Sequence, residues 1–208
     1  MNNKLVPMGL SNKHIHITRE DCDILFGEGY ELTNMKDIVQ PGQYATEEKL
    51  DVVGPKGKLT VRIIGPVRPY TQLEVSISDT YKLGVPAVIR MSGDLEGTPG
   101  FKIIGPKGEV EKDFGCIVAA RHVHLSPEEA EAFNMKDGDV VSAYLPGERS
   151  ILLNNVIVRS GPTHKLEMHI DVEEGNAACA KNNQMVALYT EEDLNNISMA
   201  DLIAGAEL

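Results

Sequence analysis

The chain has 208 residues, 42% of them apolar and 25% charged, and its 31 acidic against 20 basic side chains leave a formal charge of −11. That is the mix of a globular protein with room for one large domain or two of roughly 100 residues. The acidic balance excludes a broad basic face for nucleic acid, and no run approaches the ~20 apolar residues that span a bilayer.

The opening stretch from Met1 to His14 lacks the charged and apolar regions of a secretory signal, so a soluble, cytoplasmic protein with no membrane partner is expected. Next comes a repeat. Lys13-His-Ile-His-Ile-Thr-Arg-Glu-Asp21 returns as Arg121-His-Val-His-Leu-Ser-Pro-Glu-Glu129, nine positions aligned without a gap at an offset of 108. Asn34-Met-Lys-Asp37 returns as Asn134-Met-Lys-Asp137, and Gly54-Pro-Lys-Gly57 as Gly105-Pro-Lys-Gly108. Their offsets of 100 and 51 differ from the first, so these tetrapeptides read as recurring turn chemistry. Pro at the second position of a turn that Gly closes is hairpin chemistry.

Short β-branched or alternating runs predict strands at 49–53, 59–64, 73–77, 101–104, 117–120, 140–144, 151–158 and 166–172. Many short strands between Gly-Pro breaks predict a mainly β chain of small barrels or sandwiches. Helices are few. Ser126-Pro-Glu-Glu129 is a capping box that starts a short helix to about Phe133, and Thr18-Arg-Glu-Asp21 is a weaker copy. From Thr190 onward, Leu194, Ile197, Leu202 and Ile203 fall roughly on one face of a C-terminal helical tail. The three cysteines, Cys22, Cys116 and Cys179, share no motif and read as small buried hydrophobes.

Four of the six histidines form two H-x-H pairs, His14/His16 and His122/His124. Residues two apart on a strand share a face, so each pair sets two imidazoles side by side, a bidentate metal clamp. His169 lies in an alternating strand and is the better further ligand, while His164 sits in a Gly-Pro-Thr-His turn. Glu20 and Glu128 complete an H-x-H-x3-E spacing, the first metal motif of the cupins, although helix capping also explains both. Glu74 is a carboxylate in an otherwise apolar strand, which needs a partner or a metal. Arg68, held between Val67 and Pro69, suits bidentate phosphate recognition.

Several segments, taken in order, resemble one family. They are Gly9-Leu-Ser-Asn-Lys-His-Ile-His-Ile17, Gln40-Pro-Gly-Gln-Tyr-Ala45, Val53-Gly-Pro-Lys-Gly57, Gly65-Pro-Val-Arg68, Thr71-Gln-Leu-Glu-Val-Ser76, Met91-Ser-Gly-Asp94, Arg121-His-Val-His-Leu-Ser-Pro127, and Leu166-Glu-Met-His-Ile-Asp171 with Asn176-Ala-Ala178. Together they look like the PduL-type phosphate acyltransferases, the phosphotransacylases of propanediol- and ethanolamine-utilising bacterial microcompartments. The likeness runs from about Val6 to about Leu188. It implies reversible transfer of a short acyl group, acetyl or propanoyl, between coenzyme A and inorganic phosphate. It also implies two small β-barrel domains with short capping helices and a metal site at their interface. Residues 1–12 with 120–189 would form the first barrel, 13–119 the second, and 190–208 the tail.

Two divalent ions, usually zinc in such relatives, are implied as cofactors. His14, His16 and Glu74 match the ligands of one, His122, His124 and His169 those of the other, and Arg68 matches the phosphate-binding, catalytic arginine. A homodimer and contact with microcompartment shell or core enzymes are further implications. Two features depart from the family pattern: Lys13 stands where many relatives carry Arg, and the segment after His169 reads Asp171-Val-Glu-Glu-Gly-Asn176. The residues alone leave a second reading, a cupin-like metal-dependent oxygenase or isomerase with one H-x-H-x3-E site.

Overall fold

The computed structural model describes residues 4–204, without the side chains at 199, 203 and 204. The chain opens with β1 (Leu5–Ser11). The next segment carries β2 (His14–His16), α1 (Arg19–Phe26), β3 (Asn34–Asp37), β4 (Tyr44–Val53), β5 (Lys58–Gly65), β6 (Gln72–Glu74), α2 (Ile77–Leu83), β7 (Ile89–Arg90), β8 (Phe101–Ile104), β9 (Glu109–Lys112) and β10 (Cys116–Ala119). Beyond it come β11 (His122–Leu125), α3 (Pro127–Ala132), β12 (Val140–Leu145), β13 (Ile151–Ser160), β14 (Glu167–Asp171), α4 (Val172–Ala178), β15 (Met185–Tyr189), α5 (Glu191–Asn196) and α6 (Met199–Ala204). Two compact units result, one from the residues up to Ser11 together with those from Ala120 on, the other from Asn12–Ala119.

In the discontinuous unit, six strands close a barrel in the order β1-β14-β11-β13-β12-β15. β1 joins strands from the far end of the sequence, parallel to β14 with Met8 opposite Met168 and antiparallel to β15 with Leu5 opposite Ala187. Alternate residues fill the interior: Val6, Met8, Val123, Leu125, Val156, Val158, Met168, Ile170, Val186 and Leu188 are all buried. Each such side chain is worth about 1.5–3 kcal/mol when removed from water. A one-residue slip would put the intervening histidines there instead, so burial fixes the register.

The continuous unit is a nine-stranded sheet ordered β7-β10-β6-β2-β5-β4-β8-β9, with β3 added to β4. Its ends do not meet, so it curls into a half-barrel around Ile15, Ile17, Leu50, Val52, Val61, Ile63, Leu73, Val75, Phe101 and Ile103. The edges are blunt, β7 having two residues and β9 reading Glu-Val-Glu-Lys, which discourages pairing with another chain. The Gly-Pro-Lys-Gly segments close the β4–β5 and β8–β9 hairpins, with Gly54 N–H donating to Gly57 O and Gly105 N–H to Gly108 O, each at 2.9 Å.

Several local features differ from expectation. The strand expected over 73–77 stops at Glu74, because the Ser76 hydroxyl accepts the Asp79 N–H and starts α2. Asp171 likewise caps α4 with a complete capping box shared with Glu174. The expected tail is two short helices, broken where Ile197 turns extended at φ −105° and ψ 139°. In that tail Leu202 is buried, whereas the side chain of Ile203 and residues 205–208 lie outside the described residues. Cys22 and Cys116 are buried, but Cys179 is exposed at the end of α4, because its left-handed backbone (φ 52°) turns the chain outward there.

Candidate metal centres and active site

Four segments share one plan: a strand whose alternate residues face the core, running straight into a helix cap. They are His14-Ile-His-Ile-Thr18, Gln72-Leu-Glu-Val-Ser76, His122-Val-His-Leu-Ser126 and Glu167-Met-His-Ile-Asp171. The apolar members, Ile15, Ile17, Leu73, Val75, Val123, Leu125, Met168 and Ile170, are at most 4% exposed. The polar members must therefore share the opposite face. Thr18, Ser76, Ser126 and Asp171 each accept a backbone N–H of the following helix, which ends the strand and fixes its direction.

These segments pair two by two. In β2–β6, His14 lies opposite Glu74 and His16 opposite Gln72. In β11–β14, His122 lies opposite His169 and His124 opposite Glu167. Two groups of three follow, His14/His16/Glu74 and His122/His124/His169, the ligand atoms of each within 4.8 Å of one another. Among the described residues no other group of His, Cys, Asp and Glu is gathered this way. Glu20 and Glu128 are exposed in the first turns of α1 and α3, so the cupin-like three-ligand spacing is not realised. Turn geometry explains that: the cap residue ends the strand, and each glutamate falls in the first turn of the helix instead of on the strand face that carries the histidines.

In the first group, His14 Nδ1 lies 2.8 Å from Asn12 O and His16 Nδ1 2.9 Å from Ile64 O. A carbonyl only accepts, so Nδ1 carries the proton in each ring and Nε2 offers its lone pair. Those Nε2 atoms stand 3.5 and 3.8 Å from the Glu74 carboxylate oxygens. Burial, with His14 and Arg68 adding positive potential, pushes His16 down to about 3, so its ring is neutral and able to ligate.

In the second group, His122 Nδ1 lies 2.8 Å from Ala120 O, and His169 Nε2 lies 2.7 Å from a Glu167 carboxylate oxygen. Both partners accept, and the remaining nitrogens, His122 Nε2 and His169 Nδ1, lie 3.2 Å apart. Two lone pairs at that distance repel unless a shared proton or a cation lies between them. Two ligands of a tetrahedral zinc with bonds of about 2.0–2.1 Å are about 3.3 Å apart, so this spacing fits the ion. His124 Nδ1 is buried with no hydrogen-bond partner among the described residues. Such an atom costs roughly 1–3 kcal/mol unless something outside the chain satisfies it. Burial first, then the neighbouring histidines, push His124 down to about 2. His164 stacks edge-on to His124 at 4.7 Å, but its Nδ1 is engaged with Arg159 O.

Arg68 follows the cis Gly65–Pro66 bond. Its backbone N–H donates to Ile17 O at 2.8 Å and its Nη2 to Gln43 Oε1 at 2.7 Å, beside the His16 ring. Gln43, Gln72 and Glu167 were given no role by sequence reasoning. For Gln72 and Glu167 the signal lies in the repeated plan, where they hold the fourth position before a helix cap; Gln43, just before β4, lies outside that plan.

A sequence profile of the phosphate propanoyltransferase family matches residues 7–181. The chain belongs to that family. It is 48% identical over 181 residues to a phosphate propanoyltransferase of Thermotoga maritima, covering 86% of each chain. The corresponding enzyme of Escherichia fergusonii is 47% identical over 194 residues and 92% of each chain. That of Salmonella typhimurium is 45% identical over 184 residues, or 88% of this chain and 87% of the relative. The chain is accordingly a phosphate acyltransferase, and the cupin-like oxygenase or isomerase is ruled out as its function.

Proposed function

We propose that the enzyme moves an acetyl or propanoyl group reversibly between coenzyme A and inorganic phosphate, with one zinc ion held by His14, His16 and Glu74 and a second by His122, His124 and His169. The observation that carries this reading is the 3.2 Å separation of His122 Nε2 and His169 Nδ1, with an acceptor on the other nitrogen of each ring. Bound zinc supplies concentrated positive charge and Lewis acidity for anionic substrates in a protein of net charge −11.

The chain's own groups do the rest. Arg68, braced by Gln43, binds phosphate and aligns one oxygen with the thioester carbonyl. The new oxygen–carbon bond forms as the carbon–sulfur bond breaks, releasing acyl phosphate and the coenzyme A thiolate. Neither buried cysteine serves as a covalent relay: burial raises the Cys22 thiol and pushes Cys116 up to about 12, so neither offers a thiolate. The family likeness extends the reading to a homodimer that works inside a bacterial microcompartment.

Zinc content tests the two centres. Dialysed against zinc, the protein is expected to hold two ions per chain, and His169→Ala and Glu74→Ala one each. A wild-type chain without zinc would contradict the reading.

A further inference from the structure

Each candidate centre has four polar positions on its strand pair and only three ligands. The fourth positions are equivalent in register, Gln72 opposite His16 and Glu167 opposite His124, each two residues before the third ligand of its group. Gln72 is fully buried and Glu167 is 7% exposed. Both touch that third ligand. Gln72 Nε2 donates to Glu74 Oε1 at 2.6 Å, and a Glu167 oxygen accepts from His169 Nε2 at 2.7 Å. We propose that Gln72 and Glu167 are the positioning residues of the two centres, each opposite in hydrogen-bonding sense to the ligand it orients: a donor behind a carboxylate, an acceptor behind an imidazole.

The surroundings hold both residues to those senses. The Gly93 N–H can only donate, and it meets Gln72 Oε1 at 2.8 Å, so the Gln72 amide NH2 must face Glu74 and the Ser92 hydroxyl. This gives the Met91-Ser-Gly-Asp94 segment a task. On the other side, Gly9 lies opposite His169 in β1–β14. A Cβ there would come within 2.8 Å of Glu167 Oε1 and 3.1 Å of the His169 ring, so the glycine makes room for the pair.

Two consequences follow. Each centre carries one carboxylate, in direct reach at Glu74 and one ring removed at Glu167. His169 also ligates through Nδ1, whereas His14, His16 and His122, whose Nδ1 atoms face carbonyls, ligate through Nε2. A carboxylate behind a ligand imidazole raises its basicity and fixes its tautomer, and losing such a partner typically costs roughly 10–100-fold in metal affinity.

The inference rests on the zinc reading above, and the test separates the two. Zinc affinity is measured by chelator competition on the full chain, with nitrogen-15 histidine spectra of the zinc-loaded protein. Glu167→Gln, which keeps the shape, is expected to weaken one of two sites by about 10–100-fold and leave the other unchanged. Gln72→Ala is expected to do the converse. The wild-type spectrum is expected to show His169 bound to zinc through Nδ1 and His14, His16 and His122 through Nε2, a signature that a merely structural Glu167 would not set. Two sites of unchanged affinity in Glu167→Gln, or His169 bound through Nε2, would overturn the inference while leaving the zinc reading standing. A wild-type chain that binds no zinc would overturn both.

Discussion

Arg68 is held at both ends, its backbone by Ile17 and its guanidinium by Gln43. Charge-assisted hydrogen bonds are worth about 1.5–3 kcal/mol, so Arg68→Ala is expected to raise the KM for phosphate by about 10–100-fold, read from initial rates, while the KM for the acyl-coenzyme A changes little. His16 and His124 make a second prediction. Both have folded pKa values far below the ordinary 6.5, so the unfolded chain binds protons that the folded one refuses. Chelator-treated protein should therefore be at full stability above pH 6.5 and lose it as the pH falls from there toward 3, by up to about 1.4 kcal/mol per pH unit for each ring. Urea unfolding at about pH 7.5 and 5.5 measures this, and equal midpoints would contradict neutral burial. The histidine pairs were legible because a spacing of two on a strand is local. Glu74 and His169 stood out only as polar residues in apolar strands. Gln72 and Glu167 were not legible, since their partners depend on register between strands far apart in sequence.

Among the elements, the two Gly-Pro-Lys-Gly turns do more than reverse the chain. Lys56 N–H donates to Leu83 O at the end of α2, and Lys107 N–H donates to Leu25 O at the end of α1. Each turn thus satisfies a carbonyl that a helix C-terminus leaves open. The flanking glycines permit this close approach: a Cβ at Gly105 would lie 2.6 Å from Leu25 O. Gly105→Ala is expected to destabilise the protein by about 1–3 kcal/mol, read as a lower denaturation midpoint, without changing zinc stoichiometry. The hairpins and the Ser126 helix were readable from turn and capping residues. α2 was not, because Leu73–Ile77 alternates like a strand and its cap, Ser76-Ile-Ser-Asp79, lacks the Glu or Gln that marks a full box. α4 has such a box, but Asp171 also ends a strand, and the β-pattern masked it.

Over the whole molecule, the nine-residue repeat is the visible part of a deeper plan in which four strand-and-cap segments make two strand pairs of the same register. Sequence comparison within the chain catches the copies that keep histidine and misses those in which Gln72, Glu74 and Glu167 stand instead. The union of β1 with β14 and β15 was equally out of reach of periodicity, because nothing local marks partners at opposite ends of a chain. A divalent ion in either candidate group would bring local positive charge to a protein of net charge −11. The most direct measurement is the release of free thiol from acetyl- and propanoyl-coenzyme A by the zinc-loaded protein, with and without phosphate and before and after chelation. The account predicts release that requires phosphate, stops on chelation and returns with zinc. Release that proceeds without phosphate, or survives removal of the metal, would contradict it.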